Sequence, residues 1–206
     1  YWFLDDSEAW TPPPDLLAFL AAGAPPVYVG FGSMAGRDPA STTRIVLEAV
    51  ERSGQRAVIA TGWGGLVTGS VPESVHVIEA VRHDWLFPRV AAVVHHGGAG
   101  TTAEGLRAGI PTVICPFFGD QPFWGRRIHA LGLGPEPIQQ KRMTSGQLAE
   151  AIRTAATDPN MRRRAAEVGA QIRSERGVEQ AVRILEASLD DLPRRGLPSG
   201  EAPGRT

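Results

Sequence analysis

Short apolar runs rich in β-branched residues recur along the first part of the chain. Five of them are VYVGF, RAVIAT, VHVIEAV, AAVVHH and PTVICPF. Loops, short segments and stretches with helical spacing separate these runs. Buried strands that alternate with helices are typical of parallel βαβ units. The pattern therefore predicts an α/β fold built on a doubly wound parallel sheet.

Segments with helical spacing fill most of the remaining chain. Thr11 followed by a proline is typical of a helix start, with the threonine as cap. STTRIVLEAVERSG reads as an amphipathic helix that Gly54 closes. Beyond Thr144 the spacing predicts C-terminal helices. After Leu192 the apolar periodicity is lost, which indicates disorder.

These boundaries divide the chain into three parts. We expect an interdomain linker over residues 1–14, one binding domain over 15–190 and a disordered tail over 191–206. The chain opens without methionine, and we expect it to be a segment of a longer protein.

Composition narrows the possible partners. Lys and Arg number 21 against 22 for Asp and Glu, so no bulk charge favours nucleic acid or an anionic membrane. The single cysteine, Cys115, excludes an intramolecular disulfide. No apolar run reaches the ~18 residues of a membrane span. We expect a cytoplasmic protein in which any anion site is local and built from a few groups.

Two histidines followed by glycines and threonines form the chain's most informative stretch, AAVVHHGGAGTTAEG. His95 and His96 end a predicted strand, and Gly98, Gly100 and Thr101 lead into a predicted helix. Ligands of open α/β sheets bind at such carboxyl ends of strands. Glycines allow close backbone approach, and a helix N-terminus favours anions. The hydroxyls of the threonines and an imidazole N–H add donors, so the loop predicts a phosphate cradle.

The same stretch has a second interpretation. Gly98, Gly100 and Ala103 fit the dinucleotide pattern G-x-G-x-x-G/A. That pattern normally follows the first strand of its unit, whereas three predicted strands precede this one. A nicotinamide site also needs an acidic residue closing the second strand, and RAVIAT ends without one. The histidine pair has no part in that pattern, which disfavours NAD.

Other polar residues stand at neighbouring positions. Ser33, in GFGSMAG, is either a phosphate donor at a strand end or a turn residue. Glu104, which we place in the first turn of the helix, either accepts ribose hydroxyls or compensates the helix dipole. Asp120 with Gln121 either reads sugar hydroxyls or caps a helix. Together these groups predict a nucleotide-sugar site.

At this point the chain resembles a known family. HHGGAGTTAEGLRAGIPTVICPFFGDQPFWGRRI, with VYVGFGSM and HDWLFPRV before it, is similar to the donor-binding C-terminal half of UDP-glycosyltransferases with the GT-B fold. The likeness is strongest to sterol glucosyltransferases and to bacterial antibiotic (macrolide-type) glycosyltransferases. It covers roughly residues 26–185, with a highly specific motif from His95 to Gln121. The resemblance implies a Rossmann-like domain forming one half of a GT-B fold.

The resemblance also implies a role for each matching residue. Phosphate binding falls to His96, with His95 just before it, to Gly98, Gly100 and Thr101 on the diphosphate loop, and to Ser33. Glu104 matches the ribose-binding glutamate, and Asp120 with Gln121 matches the pair that reads the donor sugar.

The nucleobase is expected at one segment and one aromatic ring. In the family, backbone groups near the segment that here reads Ala80 and Val81 hold the base. The plant branch places a tryptophan before that segment, and this chain has Ile78 there. Trp63 is the substitute we expect, whereas Trp85 packs.

The implied reaction is an inverting displacement at the anomeric carbon. A hexose moves from a UDP-sugar to a hydroxyl of a lipophilic acceptor such as a sterol or natural product, without a metal or other cofactor. No D-x-D pair occurs in the sequence, consistent with a metal-independent route. The family's catalytic base and acceptor pocket belong to an N-terminal half, so no catalytic residue is expected here. The chain should bind donor but transfer little alone. The alternative is a stand-alone nucleotide-binding module without turnover.

Overall fold

The computed structural model describes residues 10–32, 38–62 and 71–190. Within these ranges, five parallel strands form one sheet in the order β3-β2-β1-β4-β5. The strands are β1 (Val27–Gly30), β2 (Ala57–Ala60), β3 (Val75–Ile78), β4 (Ala92–His95) and β5 (Thr112–Ile114). Each corresponds to one of the five apolar runs, so the predicted α/β fold with a parallel sheet is confirmed.

Eight α-helices accompany the strands within the described residues. They are α1 (Pro14–Ala21), α2 (Pro39–Ser53), α3 (His83–Leu86), α4 (Ala99–Ala108), α5 (Gln121–Ala130), α6 (Ser145–Thr157), α7 (Pro159–Ser174) and α8 (Gly177–Asp190). Single 3₁₀ turns lie at Phe87–Arg89 and Gln140–Arg142. Of the described residues, those up to 174 form one compact unit, and α8 belongs to another. No helix in the described ranges is long and apolar enough to cross a membrane.

Apolar side chains cover both faces of the sheet. On β1, Val27 and Val29 face a cluster that α2 and α6 complete. Tyr28 lies between them in sequence and joins the opposite cluster, with side chains from α1 and α3. Side chains of successive strand residues point to opposite faces, and helices cover both, so the sheet is doubly wound.

The helix ends show which sequence signals were correct. Gly54, at φ 70°, closes α2 as predicted, and the Asp38 carboxylate caps the start of α2 by accepting from the Ser41 N–H (2.9 Å). The prediction that Thr11 caps α1 is wrong, because α1 begins at Pro14 and has no side-chain cap. The physical reason is the proline run: a residue that precedes proline is driven out of the α region. The helix therefore starts only at the last proline.

The outer edge of β5 carries backbone hydrogen bonds from a later segment. The Thr112 N–H donates to the Leu133 carbonyl at 3.0 Å, and the Ile138 N–H donates to the Ile114 carbonyl at 3.0 Å. Just beyond the strand, the Gln140 N–H donates to the Pro116 carbonyl at 3.2 Å. We call residues 133–140 the edge segment; it occupies the position that a sixth strand would take.

Candidate functional site

The strand order places a crevice beside β1. The chain runs from β1 outward to β2 and β3, and β4 then lies on the other side of β1. In open α/β sheets, ligands bind at the carboxyl ends of the strands where the order reverses in this way. The register pairs Gly30 at the end of β1 with Ala60 on one side and His95 on the other. The histidine–glycine stretch therefore begins at this reversal point.

A cleft of about 450 Å³ opens at the carboxyl ends of β1, β2 and β3. Its lining residues are Tyr28, Gly32, Ala60, Gly62, Glu79, Ala80, Val81 and His83. The cleft is therefore lined by the Ala80–Val81 segment, which the family resemblance assigns to the nucleobase. Ser33 and Trp63, which were predicted to contact phosphate and base, lie outside the described residues.

His95 is fully buried at the end of β4. Its Nδ1 accepts a hydrogen bond from the Gly97 N–H at 3.0 Å, and its Nε2 has no partner in the described structure. Burial lowers the pKa of His95 well below its ordinary value, and His96 and His83 lower it further. The ring is therefore neutral. The fully buried ring supports the loop through its bond to the Gly97 N–H, and direct contact of His95 with a ligand stays a prediction.

Gly97 fits a backbone position that other residues cannot take. Its φ is 92°, in the left-handed region. A Cβ there would lie 2.7 Å from Cγ2 of Ile114 and 3.4 Å from Cβ of Gln121. The loop is therefore packed directly against β5 and the start of α5.

His96 occupies the surface of the loop. Its ring lies between two glycines: a Cβ on Gly98 would come within 2.5 Å of Nε2, and one on Gly32 within 3.6 Å of Cε1. Its Nδ1 is buried without a partner in the described part of the chain. Burial lowers the pKa of His96, while the Asp120 carboxylate opposes that shift. A neutral imidazole carries one N–H, which can donate to a phosphate oxygen.

The N-terminus of α4 supplies backbone donors. Gly98 is the N-cap and offers no side-chain acceptor, and the first helical bond runs from the Thr102 N–H to the Gly98 carbonyl at 2.9 Å. The N–H groups of Ala99, Gly100 and Thr101 precede that bond and have no intrahelical acceptor. The Thr102 hydroxyl also donates to the Gly98 carbonyl, at 2.9 Å. It is therefore not a ligand donor as the sequence suggested, whereas half-buried Thr101 remains available.

Glu104 lies deeper in α4 than expected. The helix begins at Ala99, so Glu104 is in its second turn and compensation of the dipole at the first turn is excluded. Its side chain lines a second cleft, of about 400 Å³, together with Asp84, Arg107 and Arg173. Burial raises the pKa of the Glu104 carboxyl, Arg107 opposes this and Asp84 adds to it. His83, which lines the first cleft, and Asp84, which lines the second, are consecutive residues of α3.

Asp120 and Gln121 differ sharply in their surroundings. Gln121 is buried, and its side-chain oxygen accepts from the N–H groups of Phe117 (2.8 Å) and Phe118 (3.2 Å). Only its amide nitrogen is left to donate to a ligand. Asp120 is exposed at the N-cap position of α5 but makes no side-chain cap. Its Oδ2 instead accepts from Nε1 of Trp124 at 2.9 Å. The capping alternative is therefore wrong for the carboxylate.

One pair of residues at the first cleft was missed by the sequence analysis. The Tyr28 hydroxyl lies 3.2 Å from Nε2 of His83, and both residues line the cleft. Burial raises the pKa of Tyr28 and lowers that of His83, so both are neutral at pH 7. The two residues are far apart in sequence, and neither stands in the glycine-rich motif, so no local pattern marked them. Trp85 packs against Trp10 and under the Arg89 guanidinium.

Several known proteins are similar to this chain in sequence. A sterol 3-beta-glucosyltransferase of Arabidopsis thaliana is 46% identical over 186 residues, which cover 90% of this chain and 29% of that protein. A sterol 3-beta-glucosyltransferase of Emericella nidulans is 41% identical over 202 residues, covering 92% of this chain and 14% of the relative. The chain thus spans less than a third of the length of both relatives.

Solved structures with the same fold include glycosyltransferases of antibiotic biosynthesis. The glycotransferase of kitacinnamycin superposes with a TM-score of 0.74 at 23% identity, covering 94% of this chain and 48% of that chain. The calicheamicin glycosyltransferase CalG4 gives a TM-score of 0.71 at 26% identity, covering 89% and 45% respectively. These neighbours are GT-B glycosyltransferases, so the predicted Rossmann-like GT-B half is confirmed.

The family assignment rests on a match over most of the domain. Residues 44–187 match the family described as "Erythromycin biosynthesis protein CIII-like, C-terminal domain". The match includes β2 to β5 and the loop from His95 to Gln121, and it agrees with the resemblance read from the sequence. The chain belongs to the family of erythromycin biosynthesis protein CIII-like C-terminal domains, and its similarity to sterol 3-beta-glucosyltransferases and to solved glycosyltransferase structures agrees with a glycosyltransferase family.

Proposed function

We propose that this chain is the donor-binding domain of an inverting glycosyltransferase that takes a hexose from a UDP-sugar. The observation that carries the proposal is the arrangement at the end of β4. His96 and the free N–H groups of α4 stand beside Gly98, next to a cleft at the reversal point of the sheet. The names of the relatives support a lipophilic hydroxyl acceptor such as a sterol or natural product.

The diphosphate is assigned to the start of α4. A helix N-terminus presents N–H groups and partial positive charge to an anion. Thr101 adds a hydroxyl, and His96 donates from the strand side. In the transfer step the acceptor oxygen bonds to the anomeric carbon while the bond from that carbon to the phosphate oxygen breaks. The leaving diphosphate then carries extra negative charge, which these preorganised donors stabilise.

The remaining parts of the donor extend to either side of the diphosphate. The nucleobase occupies the 450 Å³ cleft against Ala80 and Val81, where Tyr28 and His83 supply polar groups. The ribose hydroxyls are assigned to Glu104, which lines the second cleft. Gln121 lies beside Gly97, and the Asp120 carboxylate acts electrostatically on His96; we assign both to the hydroxyls of the hexose.

The acceptor and the catalytic base are assigned to the portion of the longer relatives that this chain does not match. The base would accept the proton of the attacking hydroxyl. Alone, the chain is therefore expected to bind donor and to transfer little. The second candidate, a nucleotide-binding module without turnover, shares the same site and differs only in what accompanies it.

Calorimetric titration tests donor binding directly. The chain and its His96→Ala variant are titrated with UDP, UDP-glucose, dTDP-glucose and NAD. We expect UDP compounds to bind the chain, and His96→Ala to weaken their binding by ~1.5–3 kcal/mol, the cost of losing a hydrogen bond to a charged partner. Binding of NAD in preference to UDP, or no nucleotide binding by a folded chain, would overturn the proposal.

A transfer assay separates the two candidates. The chain is joined to the N-terminal portion of the Arabidopsis thaliana relative, which is 46% identical in the matched region. Glucose transfer from UDP-glucose to a sterol by the fusion, with little by the chain alone, supports the enzyme. Donor binding by a folded fusion that never transfers glucose favours the module.

A further inference from the structure

Trp124 makes a hydrogen bond for which the family resemblance gave no role. It lies one turn after Asp120 on α5, and its indole Nε1–H donates to Oδ2 of that carboxylate at 2.9 Å. The Asp120 carboxylate accepts no backbone N–H of α5. Among the described residues, the indole is therefore the hydrogen-bond donor that sets the direction of this exposed carboxylate.

The neighbouring amide is anchored separately. Gln121 is fixed through its side-chain oxygen to the N–H groups of Phe117 and Phe118. Its Cβ also lies close to Gly97, in the loop between β4 and α4. The glutamine therefore holds its orientation without help from α5 side chains, whereas Asp120 depends on Trp124. Loss of the indole N–H would release one member of the pair and leave the other in place.

An oriented carboxylate can distinguish sugar epimers. The indole occupies one lone-pair direction of Oδ2, which leaves Oδ1 free to accept a hydroxyl. An aspartate that rotates freely accepts hydroxyls in several geometries and discriminates weakly between them. An aspartate held in a single rotamer favours a hydroxyl in one configuration. A misplaced hydroxyl leaves a desolvated group without a hydrogen-bond partner.

We propose that Trp124 is a positioning residue that orients the Asp120 carboxylate and thereby sets which hexose the site prefers. This inference rests on the proposed function, because it assumes that Asp120 faces the donor sugar. Trp124 itself acts through the carboxylate. Trp124 therefore contributes to binding of the sugar and not to binding of the nucleotide.

The test compares UDP with two UDP-hexoses that differ only at C4, UDP-glucose and UDP-galactose. Dissociation constants are measured by calorimetry for the chain and for Trp124→Phe, Asp120→Asn and the double variant. Phe123→Leu is the matched control, because Phe123 packs edge-on against Trp124 (5.2 Å between centroids) and its loss leaves the N–H bond intact. The chain has 5 tryptophans, so the Trp124 indole resonance is identified by its absence from the spectrum of Trp124→Phe.

We expect Trp124→Phe to leave UDP binding unchanged and to reduce the advantage of the preferred UDP-hexose over UDP about fivefold, as for loss of one partly exposed charged hydrogen bond. The ratio between the two epimers should fall with it. Asp120→Asn should have an effect at least as large, and the double variant should be no worse than Asp120→Asn. The Trp124 indole resonance should shift in Asp120→Asn and should move more with UDP-hexose than with UDP.

Three results would overturn the inference. One is an epimer ratio that Trp124→Phe leaves unchanged, and another is an equal loss in Phe123→Leu, which would indicate packing alone. The third is strict additivity of Trp124→Phe and Asp120→Asn, which would show that the two act independently. Failure of the proposed function has a different signature, since the unmodified chain would then bind neither UDP nor a UDP-hexose.

Discussion

A substitution at Gly98 would displace the His96 ring while leaving the imidazole itself unchanged. The backbone at Gly98 has φ −62° and ψ 143°, which alanine adopts without strain. The added Cβ, however, would lie 2.5 Å from Nε2 of His96, well inside the ~3.5 Å of an ordinary contact. The imidazole must therefore move by about 1 Å in Gly98→Ala.

The expected effects on stability and on binding differ in size. Alanine is a poorer N-cap than glycine by roughly 0.5–1 kcal/mol, and it restricts the unfolded chain by about 0.4–1 kcal/mol. These nearly cancel, so the free energy of unfolding should change by less than about 1 kcal/mol. A lost imidazole–phosphate hydrogen bond costs about 1.5–3 kcal/mol, so the Kd for UDP should rise roughly 10- to 150-fold.

The assay is calorimetric titration with UDP alongside urea denaturation, for Gly98→Ala, His96→Ala and the double variant. The double variant should bind no more weakly than His96→Ala, because both changes remove one interaction. Gly146→Ala is the control: its Cβ would lie 3.5 Å from the Arg52 guanidinium, an ordinary contact on α6, and UDP binding should not change. Normal UDP binding by Gly98→Ala together with weak binding by His96→Ala would refute the reasoning.

Three further predictions follow from the same loop and helix. Gly97→Ala should lower the free energy of unfolding by about 2–4 kcal/mol in urea denaturation, because φ is 92° and Cβ would meet Ile114 at 2.7 Å; a loss under about 1 kcal/mol would contradict this. Because burial lowers the folded pKa of His95 below 6.5, its contribution to stability is complete above pH 6.5. Below that it falls by up to about 1.36 kcal/mol per pH unit. His95→Asn, which keeps an acceptor for the Gly97 N–H, should lose less stability between pH 7.5 and pH 5, and parallel pH profiles would argue against it. Glu104→Ala should narrow the preference for UDP over 2′-deoxy-UDP in titration calorimetry, whereas equal weakening of both would show that the carboxylate does not read the ribose.

Patterns local in sequence predicted the sheet and the position of the loop between β4 and α4 correctly. Runs of β-branched residues marked all five strands, because burial on both faces of a parallel sheet leaves few polar positions. The histidines next to glycines marked the end of β4. Which of the two rings is buried followed from the strand boundary: β4 ends at His95, whose side chain is still part of the packed sheet. His96 is the first residue beyond the strand.

Helix boundaries and long-range contacts were harder to predict from the sequence. A start of α4 at Ala99 rather than near Thr101 moved Glu104 out of the first turn. Such a shift of two residues depends on how the chain packs around Gly98. The hydrogen bond between Tyr28 and His83 links β1 to α3 and has no local signal. The Asp120–Trp124 pair, by contrast, has helical i,i+4 spacing. Its contact could be predicted once the start of α5 was known.

The edge segment, residues 133–140, has a consequence for how copies of this domain meet. An open parallel edge is a template for pairing with another chain, and proteins commonly cover such edges. Here the Thr112 N–H and the Ile114 carbonyl are already paired with the Leu133 carbonyl and the Ile138 N–H. A second copy cannot extend the sheet at β5 without displacing that segment. Self-association through β5 is therefore blocked at the level of the backbone, whatever the side chains on its surface.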